Sequence, residues 1–265
     1  MIKRNTQQRR HAIISLLNEQ GEVSVEDLSQ RFATSEVTIR KDLAELERSG
    51  VLLRRYGGAI SLPSEILAEE VPAKVSQRKL AIAQAAIQHI RDHNRIIIDS
   101  GSTTGAMIPL LAAKRGLVVM TNSLTVAQAL RELENEPTLL MTGGTWDPHS
   151  EAFQGQVAEQ VLRSYDFDQL FVGADGVDPA RGTTTFNELV GLSRVMAEVA
   201  REVIVLVDSE KFGRRIPNLE LPWSAIDTLI TDDGIGEELK QQIEQHDVHV
   251  ICASVNTSTS AVSHD

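Results

Sequence analysis

Five times between residues 96 and 213 a short apolar run ends in a cluster of small polar residues, and these clusters hold the side chains best suited to chemistry. The first is Asp99-Ser100-Gly101-Ser102-Thr103-Thr104-Gly105. Its glycines let the backbone fold tightly, and hydroxyls with free N–H groups at a helix start can hold a phosphate. The others are Thr121-Asn122-Ser123, Thr142-Gly143-Gly144-Thr145, Gly173-Ala174-Asp175-Gly176 and Asp208-Ser209-Glu210-Lys211-Phe212-Gly213. An anion-holding loop, a lysine, Asp175 and Asn122 together suit a phosphorylated polyhydroxy compound. The cation offsets phosphate charge, and the carboxylates and amide bond hydroxyls. No GxxxxGK[ST] motif is present, which argues against a nucleotide P-loop, and no cofactor is expected. Ser100, Ser102 and the histidines lack the spacing of a nucleophile elbow.

A second set of residues lies near the N-terminus. Ser35, Glu36, Thr38, Arg40 and Lys41 open a helix of the size that fits the major groove of DNA. Threonine can bond a base or touch a thymine methyl, arginine can fork onto guanine, and either cation can pair with phosphate. Arg54-Arg55-Tyr56-Gly57-Gly58 then suits a wing tip lying on the phosphate backbone. Arg4, Arg9 and Arg10 are further candidates for phosphate, with plain surface solvation the alternative.

The elements that must position these residues are legible in the pattern. Helix 6–19 buries Ile13, Ile14, Leu16 and Leu17 and stops at Gly21. Val25, Leu28 and Phe32 form one apolar stripe on the next helix, with Ser24 as its N-cap and Asp27 in the place of a capping-box glutamate. Ala33-Thr34-Ser35 makes a turn, and Ser35 caps a helix whose Val37, Ile39, Leu43 and Leu46 are expected to point inward. Gly50 ends it, and a basic β-ribbon follows. Residues 61–75 contain two prolines and no sustained period, and are read as a linker, with Pro63 and Pro72 in the expected route of coupling. A helix is expected at about 76–91. Beyond it the apolar runs 96–98, 117–120, 138–141, 169–172, 203–207, 228–230 and 248–251 alternate with helical stretches, which implies parallel βαβ units. A further helix is expected from Ala106 to Leu111, just past the first polar cluster. Ligands bind beyond the carboxyl ends of such strands, where all five clusters fall. The domains are therefore 1–60, a DNA-reading unit; 61–75, the linker; 76–253, an α/β effector-sensing unit; and 254–265, a disordered tail.

Composition bounds the rest. The net charge of −11 divides into +2 over residues 1–60 and −13 over the remainder. A mildly basic reader on an acidic body should bind DNA through few phosphates and in a salt-sensitive way. No apolar run reaches the ~18 residues of a membrane span, and the N-terminus does not read as a secretory signal. The single cysteine, Cys252, excludes an internal disulfide and a cysteine metal cluster, which fits a cytoplasmic protein. Cys252, Trp146 and Trp223 are expected to pack, and His89 and His93, spaced i,i+4 on a helix, to be solvated rather than to bind metal.

These motifs together carry a family resemblance. TIRKDLAELERSG and RRYGGAI (38–60), DSGSTT (99–104), MTNSL (120–124), the glycines 143–144, VGADGVD (172–178), TTTFNE (183–188) and VDSEKFG (207–213) resemble the DeoR family of bacterial transcriptional repressors over essentially the whole chain. MTNSL, TTTFNE with the following helix, and AREVI (200–204) carry a closer likeness to the glucitol (sorbitol) operon branch. The resemblance implies an N-terminal winged helix-turn-helix joined to a C-terminal α/β domain similar to ribose-5-phosphate isomerase. It implies a dimer or tetramer that represses a sugar or sugar-alcohol operon and leaves operator DNA when a phosphorylated sugar or polyol binds. Carried onto this sequence, Ser102, Thr103 and Thr104 cradle phosphate, Lys211 pairs with it, and Asp175 and Glu188 face sugar hydroxyls. The isomerases have a longer acidic motif around Ala174-Asp175; here Val172 stands where an acid is usual, which argues against an enzyme. An isomerase-like enzyme and an α/β half that only oligomerises are the competing readings.

Overall fold

A computed structural model describes residues 9–10, 12–14, 16–17, 20–48, 52–55, 57–61, 75–148, 150–185, 190–214, 216 and 218–255. The chain divides into two units, Met1–Lys74 and Val75–Asp265. In the first, helical residues between 9 and 20 bury Ile13, Leu16 and Leu17, and Gly21 ends them at φ 76°. Then come β1 (Glu22–Ser24), α1 (Val25–Arg31), α2 (Glu36–Arg48), β2 (Leu52–Arg55) and β3 (Gly58–Ser61). Ser24 caps α1 through the Asp27 amide, as its position predicts. The wing is a three-stranded antiparallel sheet ordered β1-β3-β2 rather than a two-stranded ribbon. A β-carbon on Gly58 would stand 2.2 Å from the Val23 carbonyl oxygen, so glycine is what lets β3 lie against β1. This is a winged helix-turn-helix around a core of Ile13, Leu17, Leu28, Ile39, Leu43 and Leu52.

The second unit is α/β. Seven strands, β4 (Arg95–Ile98), β5 (Val118–Thr121), β6 (Thr138–Met141), β9 (Phe167–Val172), β12 (Ala200–Leu206), β14 (Thr228–Asp232) and β15 (His249–Ala253), form one parallel sheet ordered β15-β14-β12-β9-β4-β5-β6. Alternation along β4 sends Ile96 and Ile98 into the core on one face and Ile97 into the core on the other, and all three are fully buried. A strand apolar on both faces needs cover on both. Helix α3 (Gln77–Ala86) supplies Ile82 and Ala83 to the first layer, while α6 (Gln156–Leu162) and α7 (Gly191–Glu198) supply Leu162 and Met196 to the second. The remaining helices are α4 (Ser102–Gly105), α5 (Leu124–Arg131) and α8 (Glu237–Glu244). A hairpin, β7 (Thr145–Asp147) and β8 (Ala152–Gln154), follows β6. A small antiparallel sheet is made of β10 (Gly176–Asp178) and β11 (Gly182–Thr185), which follow β9, and β13 (Asn218–Pro222), which follows β12. Among the described residues no helix is long and apolar enough to cross a membrane.

Several local expectations change. The helix expected at 76–91 ends its α-helical part at Ala86, with a 3-10 turn Ile87–His89. His93 lies in a turn at φ 66°, so it and His89 are not an i,i+4 pair on one helix. The helix expected from Ala106 is instead the short α4, starting at Ser102, and a 3-10 stretch Ile108–Ala113. Cys252 is on the last strand but exposed. Trp223 is buried, with its indole N–H donating to the Pro179 carbonyl, whereas Trp146 is 40% exposed and packs edge-on against Phe153. Most linker and tail residues, 62–74 and 256–265, lie outside the described residues.

Candidate nucleic-acid interface and anion site

Ala33, at φ 46°, turns the chain between α1 and α2. The Ser35 hydroxyl then accepts from the Thr38 amide at 3.3 Å and sits 2.9 Å from the Thr38 hydroxyl. Glu36 and Arg40 form an exposed i,i+4 ion pair at 2.8 Å. Such a pair contributes only about 0.3–0.5 kcal/mol, so a phosphate or a guanine edge can open it. Lys41 is exposed beside them. Val37 is 61% exposed and does not point inward as its apolar character predicts. It stands on the outer face with Glu36, Arg40 and Lys41, while Ile39, Leu43 and Leu46 fill the core. On the wing, Arg54 lies near Glu47, and Arg55 pairs with Glu22 at 2.6 Å. Gly57, at φ 81°, makes the wing's turn. Tyr56 and Arg4 lie outside the described residues. Arg9 and Arg10 are not simply solvated, because both bond the buried carboxylate of Asp42.

In the second unit, β12, β9, β4, β5 and β6 are consecutive neighbours in a parallel sheet, so the five polar clusters share one edge. At its centre the Asp99 carboxylate accepts from the Asn122 side-chain amide at 2.7 Å and from the Ser100 amide at 2.8 Å. Asn122 accepts in turn from the Ser100 amide at 3.1 Å. Thr104 is fully buried, and its hydroxyl, 2.9 Å from the carbonyls of both Asp99 and Gly101, braces the loop from inside. Gly101, at φ 145°, permits that fold. Ser102 is exposed, and its hydroxyl accepts from the Lys79 ammonium at 2.8 Å. Thr103 is buried beside it. Gly144, at φ 111°, passes so close to the Gln154 carbonyl that a β-carbon would stand 2.5 Å from it. Gly144 therefore has a packing role at the start of the hairpin, whereas Gly143, at φ 60°, has open space around it and serves the backbone turn alone.

The small antiparallel sheet closes the far side. Asp175, just before β10, accepts from the Thr185 hydroxyl of β11 at 2.7 Å. Glu220 of β13 is buried and accepts from the Ser193 hydroxyl of α7 at 2.7 Å. Burial pushes the Glu220 carboxyl up to about 8, against its Ser193 bond, and the negative charges of Asp99 and Asp175 add to the rise. Burial likewise pushes Asp99 up to about 6, against the Asn122 and Ser100 bonds, with Asp175 adding to it. The mutual influence of Asp99, Asp175 and Glu220 makes them one electrostatic cluster. At neutral pH Glu220 is protonated and can donate a hydrogen bond, while carboxylates beside it accept from hydroxyls.

Lys211 occupies a 3-10 turn, Ser209–Lys211, after β12. Its neighbour Glu210 pairs with Arg78 of α3, and Arg78 also lies 3.9 Å from Asp232. The first turn of α3 thus reaches two of the strand-end loops, through Lys79 and Arg78. Sequence reasoning passed over Lys79 because its helix was judged by apolar spacing alone. Glu220 was passed over because alternation in NLELP marks Leu219 and Leu221 as the inward residues and Glu220 as an outward one, yet the fold buries Glu220. Glu188 lies outside the described residues.

The chain matches the family model for the DeoR-like helix-turn-helix domain over residues 9–65 and the model for the DeoR C terminal sensor domain over residues 74–233. It is 41% identical over 252 residues to a candidate transcriptional repressor of the aga operon from Escherichia coli O157:H7, covering 93% of each chain. It is 32% identical to the HTH-type transcriptional regulator GlpR of Haloferax volcanii, covering 92% of this chain and 96% of that one. Among solved structures it is similar to ribose 5-phosphate isomerase A of Methanocaldococcus jannaschii, with 21% identity and a TM-score of 0.37, covering 51% of this chain and 53% of the other.

Proposed function

The chain belongs to the DeoR family of DNA-binding transcriptional repressors, and from that membership we propose a repressor that leaves its operator when a phosphorylated sugar or sugar alcohol binds the α/β unit. The observation that carries this reading is the meeting of two chemistries along one sheet edge. Lys79 sits on the exposed Ser102 hydroxyl, and the loop that holds Ser102 begins at Asp99, one of three clustered acids. A phosphate fits beside Lys79, Ser102 and Thr103, and by family resemblance Lys211 pairs with it. The hydroxyls of the same molecule fit Asp99, Asn122, Asp175 and Glu220, with Glu188 added by the resemblance. A protonated Glu220 limits the negative charge facing an anionic ligand.

Release works by linkage: the effector binds the DNA-incompetent state more tightly, and a typical coupling of ~1–3 kcal/mol changes operator affinity roughly 5–150-fold. Self-association to a dimer or tetramer sets paired reading helices about 34 Å apart, to match a two-fold operator. MTNSL, TTTFNE and AREVI support a glucitol-type operon, so glucitol 6-phosphate and glucitol are the first compounds to try. Other sugar and sugar-alcohol phosphates complete the panel.

An isomerase-like enzyme has one observation in its favour: a carboxyl held near 8 lies in the range a general base needs. One experiment separates the two. Purified protein is bound to labelled DNA from upstream of its own operon, and fluorescence anisotropy is followed while sugar and polyol phosphates are added. Release by one phosphate, and not by its unphosphorylated parent, supports the sensor. No response to a broad panel overturns it, and product formed from one of the phosphates supports the enzyme.

A further inference from the structure

Asp42 is the least expected residue of the reading helix. It lies on α2 between Lys41 and Leu43 and is 2% exposed, beside the core residues Ile39, Leu43 and Leu46. A buried carboxylate is expensive unless paired. One arginine would neutralise it, yet two converge on it. The Arg9 Nε bonds Oδ2 at 2.6 Å and the Arg10 Nε bonds Oδ1 at 2.9 Å. Consecutive residues on a helix point about 100° apart, so solvated arginines at 9 and 10 would diverge. These two are drawn together, and the trio carries a net +1.

Each guanidinium uses only its Nε on Asp42. Among the described residues the Nη groups have no protein partner, and the two side chains remain 12% and 31% exposed. The Nη edge is the part of a guanidinium that grips a phosphate with two parallel bonds. The position also fits. Thr38 and Asp42 are i,i+4, so Asp42 lies one turn below Thr38 on the same side of α2. When a helix enters the major groove, the cations on its flank meet the backbone that borders the groove.

We propose that Arg9 and Arg10 form a paired clamp on the DNA phosphate backbone, and that Asp42 is the positioning residue that aims them. The inference rests on α2 being the reading helix. Coulomb's law alone predicts that removing the negative charge of Asp42 tightens DNA binding. Positioning predicts the reverse.

The test measures binding of the full-length protein to operator and to unrelated DNA across a range of salt. Arg10→Gln is expected to weaken both complexes by a similar factor and to reduce the slope of log K against log salt by about 1, and the R9Q/R10Q pair by about 2. Arg10→Lys keeps the slope, because it keeps the charge. Asp42→Asn weakens operator binding despite its added positive charge. A wild-type slope in the R9Q/R10Q protein overturns the clamp, and unchanged or tighter binding by D42N overturns the positioning role. Should D42N fail to fold by thermal melting, the comparison of R10Q with R10K still decides the clamp. Thr38→Ala and Arg40→Ala serve as controls. If they leave operator binding intact, α2 is not the reader and that reading fails first. If they weaken it while R9Q/R10Q does not, the clamp alone fails.

Discussion

Replacing Glu220 with glutamine should change how the α/β unit responds to pH. Glu220 ionises near 4.5 in an unfolded chain and near 8 in the folded one, because burial and the neighbouring charges of Asp99 and Asp175 disfavour its charged form. A folded value raised above the unfolded one contributes stability that is complete below about pH 4.5 and is lost as pH rises through about 8. Each pH step within that window removes up to ~1.4 kcal/mol, less close to pH 8 where the folded group itself begins to ionise. Between pH 6 and pH 8 the loss is therefore about 2 kcal/mol. Asp99, held near 6, is ionised over most of that interval and adds little to the slope. Glutamine keeps the shape and has no proton to lose, so Glu220→Gln should flatten the dependence and gain on the wild type as pH rises. Both tryptophans, Trp146 and Trp223, belong to the α/β unit, so tryptophan fluorescence in urea reports on it selectively within the full-length chain. The thermal counterpart is a wild-type melting temperature that falls by roughly 4–8 °C from pH 6 to pH 8, and a variant that does not follow. Identical pH dependence in both proteins, or a variant less stable at pH 8, would mean that Glu220 is ionised and compensated in the fold, and the reasoning from burial would be wrong.

The other expectations concern function more directly. Lys79→Met should weaken release by a phosphorylated effector by about tenfold or more, the loss of one charge-assisted bond, with effector-free operator affinity unchanged in the same anisotropy titration. Val37→Ser, on the exposed face of α2, should cost about 1 kcal/mol of preference at a single thymine. Competition among operator variants measures that, and uniform loss across all variants would assign Val37 to folding instead. Gly58→Ala forces a β-carbon to within 2.2 Å of the Val23 carbonyl oxygen. It should destabilise the wing by about 2 kcal/mol or more and weaken operator binding, with the α/β melt unaffected.

Much of this molecule can be read from local signals. Three consecutive β-branched isoleucines at 96–98 suit a strand covered on both faces, and that is where β4 lies. Ser24 with Asp27, and Ser35 with Thr38, are caps that need no distant partner. Parallel topology then brings the loops after β4, β5, β6, β9 and β12 to one edge, because every strand of a parallel sheet ends on the same side. What could not be read is whatever depends on a partner far along the chain. Val37 is apolar and lies near the helical stripe, and only the packing of α1 against α2 decides that it stays outside. Strands β1, β10, β11 and β13 are three to five residues long, too short for alternation to mark them, and β13 buries a glutamate at a position that alternation assigns to solvent. Lys79 meets Ser102 across 23 positions, Asp42 meets Arg9 across 33, and Glu220 meets Ser193 across 27. Periodicity and capping act within a turn or two of chain, and they determine the elements and their order here. The direction of an arginine, the protonation of a carboxyl and the lysine at the anion loop follow from burial and from neighbours that only the folded chain brings together.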